Sequence, residues 1–130
     1  MADDSNVNLF AIILVAVGGA IGSVLRYALS TLVLRASGSV FPAGTFAVNL
    51  AGCIVVGAIA GAADQRFVLT PEARAFLLIG VLGGFTTFSS YAFESFALMQ
   101  DGQLLAATVN IVGQVVAGLL GLWVAYVIAH

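Results

Sequence analysis

The residues of this 130-residue chain that could do chemistry fall at helical spacings. Thr45, Asn49 and Cys53 stand at i, i+4 and i+8; Asn110, Gln114 and Gly118 repeat that spacing; Thr87, Ser90 and Glu94 follow i, i+3 and i+7. Residues so spaced share one face of a helix. Amides and hydroxyls donate hydrogen bonds, and the edges of Phe85, Phe88 and Tyr91 carry the positive part of the ring quadrupole. Together these groups suit a small anion that accepts hydrogen bonds. A cation path calls for rings of acids, and Glu94 is the one acid well inside an apolar stretch. Arg26 is the one base so placed; it could attract an anion, but a structural pairing with backbone or with Glu94 is the stronger expectation. For any single member of these stripes an interhelical hydrogen bond is the commoner fate, whereas three stripes from three helices make a polar path.

Catalytic readings find little to work with. The sole histidine is His130, no Cys, His and Asp cluster has metal-ligand spacing, and neither Ser89 nor Ser90 has an evident base partner. Val81-Leu82-Gly83-Gly84 lacks the lysine and the strand-to-helix setting of a phosphate loop. An enzyme is not expected. Four arginines, no lysine and six acids give a net charge of −2, without the basic footprint of a nucleic-acid binder. Cys53 is the single cysteine, cannot form an intrachain disulfide, and reads as a small packing residue.

The elements that must position these residues are membrane helices. The chain is 62% hydrophobic and 8% charged, with a mean hydropathy of +1.14, against about 45–50% apolar and about 25% charged in soluble domains. Spans of roughly 20 apolar residues can be laid over 9–34, 43–63, 74–99 and 104–129, so that residues 1–130 form one four-span transmembrane domain. The period-two alternation of a barrel strand is absent from runs such as 115–129. Short polar turns join the spans, and Thr70-Pro71-Glu72 reads as an N-cap, a proline at the first helical position and an acid in the first turn. The acidic start at residues 1–6 lacks the positive charge of a secretory leader, so the first span is expected to be a retained helix.

Most of the 15 glycines lie in the spans, with small residues four apart at Gly18 and Gly22, Gly57 and Gly61, Gly80 and Gly84, and Ala117 and Gly121. That spacing lets helices approach closely. Gly83-Gly84 differs because Phe85-Thr86-Thr87-Phe88-Ser89-Ser90 follows it in mid-span. Adjacent glycines disfavour helix by about 1 kcal/mol each against alanine, and Ser and Thr offer the backbone other partners. A break in the third helix is expected there, leaving carbonyls free for a cation at membrane depth. The arginines divide evenly: Arg66 and Arg74 on one side of the membrane, Arg35 and, counted with it, Arg26 toward the other. Since Lys and Arg asymmetry sets orientation, insertion both ways up and an antiparallel pair stand level with a single orientation.

Three segments resemble the Fluc (CrcB-type) fluoride channels of bacterial membranes: GGAIGSVLRY at 18–27, GTFAVNLAG at 44–52 and GGFTTFSSY at 83–91, with VNIVGQ at 109–114 similar to the family's last-helix segment. They occur in order over nearly the whole chain, and the third-helix motif is highly specific. The resemblance implies a multi-pass protein of the bacterial inner membrane that exports fluoride passively and protects against its toxicity. It implies a dual-topology homodimer with two antiparallel pores and a structural sodium ion at the interface, held by the backbone carbonyls of Gly83 and Thr86. The pore asparagine matches Asn49, the aromatic box Phe88 and Tyr91, the first-helix arginine Arg26, and a family acid Glu94; Thr45, Thr87, Ser90 and Gln114 are candidates for its polar track. Tyr91 departs from the usual phenylalanine by a hydroxyl that could itself bond the ion. Gln114 departs from a frequent serine by an amide and added bulk. Phe85 falls outside the box and is expected to pack.

Two other classes fit a short four-span protein. A small multidrug transporter relies on an acid in its first helix, where this chain has only Arg26. A non-transporting assembly subunit would use its glycines for packing alone, and substitution of Asn49 or Phe88 would then leave fluoride resistance untouched.

Overall fold

The computed structural model describes residues 7–130; the acidic start at residues 1–6, which carried the expectation of a retained first helix, lies outside them. Every element among the described residues is helical: α1 (Leu9–Ser37), α2 (Ala43–Gln65), α3 over 71–85, α4 (Phe88–Gln100) and α5 (Leu104–Ala129). Within α3 a first turn Pro71–Ala73 leads into a π-helical stretch Arg74–Leu82 and a closing turn Gly83–Phe85. Counting α3 and α4 as one span, four segments are long and apolar enough to cross a membrane. The chain is a multi-pass membrane protein, and its 23-residue α2 alone reaches about 34 Å.

Local chemistry sets the ends. Gly38, at φ 57°, stops α1 in the left-handed conformation that glycine adopts without strain, three residues beyond the span read from hydropathy. The third span begins at Pro71 and not at Arg74, because Thr70 Oγ1 accepts the Ala73 N–H at 3.1 Å and proline tolerates the first helical position. That is the cap legible in Thr70-Pro71-Glu72.

The bundle is held by backbones in contact more than by interlocked side chains. α1 lies on α3 and α2 on α5. A Cβ on Gly18 would stand 2.5 Å from the Phe76 carbonyl oxygen, and one on Gly22 would collide with that of Val81. Likewise Gly84 faces the Gly19 backbone, while Gly57 and Gly61 face the carbonyls of Leu122 and Tyr126. Three of the four small-residue pairs thus sit at helix crossings, as association without a hydrophobic driving force requires. Gly121 of the fourth pair has side-chain atoms of Leu50 and Ile54 as its nearest neighbours, and no backbone comes as close.

Little of each span is buried within one chain: between 11% and 22% of its most apolar window. The buried apolar residues are Val48, Ala75, Leu82, Leu98 and Ala107, whereas side chains such as Leu119, Trp123 and Ile128 face outward. Lipid or a second protein surface must cover them.

Candidate functional site

The third span breaks at Thr86-Thr87. Both residues are extended, with Thr86 at φ −83°, ψ 157° and Thr87 at φ −148°, ψ 115°. This break lies within the stretch from Gly83-Gly84 to Ser90 where the glycines and hydroxyls predict one. Gly83 and Gly84 remain helical, and Gly84 is used for the crossing with α1. What stabilises the break is Asn49 of α2. Its Oδ1 accepts the Thr87 N–H at 2.8 Å and its Nδ2 donates to the Thr87 carbonyl at 3.0 Å. The pair replaces the helical bonds that the extended residue gives up. Thr87 then caps α4 through its side chain, Oγ1 accepting the Ser90 N–H at 3.2 Å.

The break leaves the carbonyls of residues 83–86 without helical donors, those of Gly83 and Thr86 among them. In an unbroken helix the Thr87 N–H would bond Gly83 and the Ser90 N–H would bond Thr86, yet both donors go to side chains. Gly83 is exposed and Thr86 half-buried on the face of the single chain.

Polar groups lie on either side of the break in two clefts. One, of 340 Å³, is bordered by Arg26 of α1, Thr45 of α2 and Thr87, Ser90 and Glu94 at the break and on α4. The other, of 350 Å³, is bordered by Asn49 and Cys53 of α2, by Thr87, Phe88 and Tyr91, and by Gln114 of α5. The first extends toward the membrane side holding the turns at 38–42 and 101–103. The second runs past Val56 and Leu122 toward the opposite side. Thr87 borders both.

In the first cleft the Thr45 hydroxyl donates to Glu94 Oε1 at 2.9 Å, while Glu94 Oε2 is buried without a partner. The Glu94 carboxylate therefore makes no hydrogen bond to Arg26, although both border the cleft. Ser23, Tyr27 and Ser30 of α1 also line it. Sequence reading passed over these three, whose i, i+4 and i+7 spacing is the same signal that marked the other stripes. In the second cleft the Phe88 and Tyr91 rings lie 5.6 Å apart at 40°, an aromatic pair in the favoured tilted range. Phe88 is 79% exposed on the single chain. The Tyr91 hydroxyl donates to the Ile111 carbonyl at 2.8 Å, so its proton is committed to the protein. Phe85 borders neither cleft. Cys53 borders the second and is half-buried beside Gly118.

Comparison with known proteins adds an independent line. Residues 13–126 match the family model described as CrcB-like protein, Camphor Resistance. Relatives called fluoride-specific ion channel FluC include one from Nitratidesulfovibrio vulgaris, 46% identical over 86% of this chain and 90% of the relative. Another, from Methylobacillus flagellatus, is 43% identical over 91% and 93%, and one from Paramagnetospirillum magneticum is 45% identical over 89% and 92%.

Proposed function

The chain belongs to the CrcB-like family, and on that premise we propose that it is a fluoride channel: a passive conductor, not an enzyme, that lets fluoride leave the bacterial cell across the inner membrane. The observation that carries this reading is that two clefts share Thr87, one lined by Arg26, Glu94 and hydroxyl side chains, the other mainly apolar with the Phe88 and Tyr91 rings and the Gln114 amide at its edge. Fluoride is a small anion that holds its water tightly. It passes only where hydrogen-bond donors replace that water without binding it too firmly. Arg26 raises the local anion concentration at the first cleft, the Ser90 hydroxyl, which accepts from Thr87 Oγ1, offers its proton where the clefts share Thr87, and the edges of Phe88 and Tyr91 with the Gln114 amide receive the ion beyond it. Asn49 spends both amide hydrogens on the protein and acts by holding the break open.

The working unit is an antiparallel homodimer with two such pores. The even division of arginines supports insertion both ways up, and the exposure of Gly83, Phe88 and Ser89 in mid-span leaves a polar and aromatic face for a second copy to cover. A structural sodium ion fits the break. The carbonyls of Gly83 and Thr86, which the family resemblance names, are among those that lose their helical donors, and two pairs from two copies would surround a hard cation with oxygen. The ion would supply positive charge against carbonyl dipoles that otherwise repel one another.

The test is fluoride efflux from proteoliposomes, read with a fluoride electrode under an applied potential. Efflux well above that of protein-free vesicles, with chloride retained, is expected. Efflux equal to theirs would overturn the proposal.

A further inference from the structure

From the edge of the second cleft a line of side chains runs inward from Asn49 through α5 to α4. Asn49 Nδ2 donates to Gln114 Oε1 at 2.8 Å, Gln114 Nε2 to Asn110 Oδ1 at 2.9 Å, Asn110 Nδ2 to Ser95 Oγ at 2.9 Å, and the Ser95 hydroxyl to the Tyr91 carbonyl at 2.7 Å. Each link donates in the same direction. The direction is fixed at both ends by backbone groups that cannot change role: the Thr87 N–H, which only donates, and the Tyr91 carbonyl, which only accepts. If one amide flipped, oxygen would face oxygen or hydrogen would face hydrogen. Asn110 is fully buried and Ser95 is 3% exposed, so water does not substitute for either.

Both Nδ2 hydrogens of Asn49 are used, and Asn110 does not reach the cleft. Of the three amides, Gln114 alone borders the cleft with an N–H that the relay leaves over. We propose that Ser95 and Asn110 are positioning residues that lock the Gln114 carboxamide so that it presents its N–H edge, and not its oxygen, to the anion. The inference rests on the channel reading and deepens it, because it assigns selectivity for an anion to the polarity of a hydrogen-bonded line set by the helix break. Asn49 holds the Gln114 oxygen and Asn110 its nitrogen; held by its oxygen alone, the amide would swing its N–H edge away from the anion.

The test is a double-mutant cycle on fluoride efflux. Asn110→Leu keeps the approximate size of the side chain and removes the acceptor for Gln114. It is expected to slow efflux about tenfold, the kinetic equivalent of one lost hydrogen bond. In a Gln114→Ser background, whose short hydroxyl cannot bridge to Asn110, the same substitution is expected to change the rate less than twofold. A merely structural role for Asn110 would slow both backgrounds alike, and that result, or full activity of Asn110→Leu alone, overturns the proposal. Should Asn110→Leu fail to assemble, Ser95→Ala cuts the line one link further away and must show the same dependence on Gln114. If wild-type vesicles release no fluoride the channel reading falls and this one with it; additive effects on a conducting channel sink this inference alone.

Discussion

Replacing Asn49 with leucine should destabilise the folded chain by several kcal/mol while leaving helix content in place. The substitution removes three hydrogen bonds: two to the Thr87 backbone and one to Gln114. Interhelical hydrogen bonds in membrane proteins average about 0.6 kcal/mol each, because the unfolded chain in lipid also finds partners, which puts the floor near 2 kcal/mol. The Thr87 N–H and carbonyl belong to a residue only 9% exposed, and leaving such groups unpaired costs about 1–3 kcal/mol apiece, which puts the ceiling near 6. The expected value is about 3–4 kcal/mol, since water entering through the clefts satisfies part of what is lost. Equilibrium unfolding in mixed micelles, followed by far-ultraviolet circular dichroism and by the fluorescence of Trp123, the single tryptophan, gives the number directly. Asn49→Asp is the sharper partner experiment. It keeps the acceptor for Thr87 N–H but sets oxygen against the Thr87 carbonyl and Gln114 Oε1, so it should cost at least as much as leucine. A loss below about 0.5 kcal/mol for both variants would refute the account of how the break is held.

Neighbouring glycines should separate cleanly. Gly22→Ala drives a Cβ into the Val81 carbonyl, and a cost of about 2–3 kcal/mol is expected for such overpacking, whereas Gly19→Ala, whose nearest neighbour stands at 4.0 Å, should be neutral within about 0.5 kcal/mol in the same unfolding assay. Purification with sodium replaced throughout by a large organic cation should lower the proportion of dimer on size exclusion and slow efflux; unchanged assembly and flux would remove the central sodium from the picture.

Much of this architecture is legible in the sequence, for a physical reason. Lipid imposes one period and one composition on every span, so continuous apolar runs locate the helices to within a few residues, and α5 falls where hydropathy alone puts it. The glycines that meet a facing backbone are readable because close approach demands a missing Cβ. The position of the break was less so. The run from Gly83-Gly84 through the hydroxyls to Ser90 marks the region, but its residues are fixed at Thr86-Thr87 by Asn49, a partner 38 positions away, and no local propensity encodes that contact. The same holds for Ser95, which looks like an ordinary helix serine until Asn110 is seen against it. Arg26 and Glu94 share a cleft as their spans permit, yet Glu94 takes Thr45 as its hydrogen-bond partner, a choice of side-chain direction invisible to spacing. Nothing in the composition of Arg74–Leu82 accounts for its π-helical winding.

If ions pass between the two clefts that share Thr87, the membrane voltage falls unevenly along their path. Clefts wide enough for several waters short-circuit much of the membrane's thickness, so the transmembrane field is concentrated over the few ångströms where Thr87 separates them. An anion crossing there traverses most of the voltage in one step, worth about 2.3 kcal/mol per elementary charge for each 100 mV. On the channel reading, with the cell interior negative, that step runs downhill toward the outside and needs no other energy source.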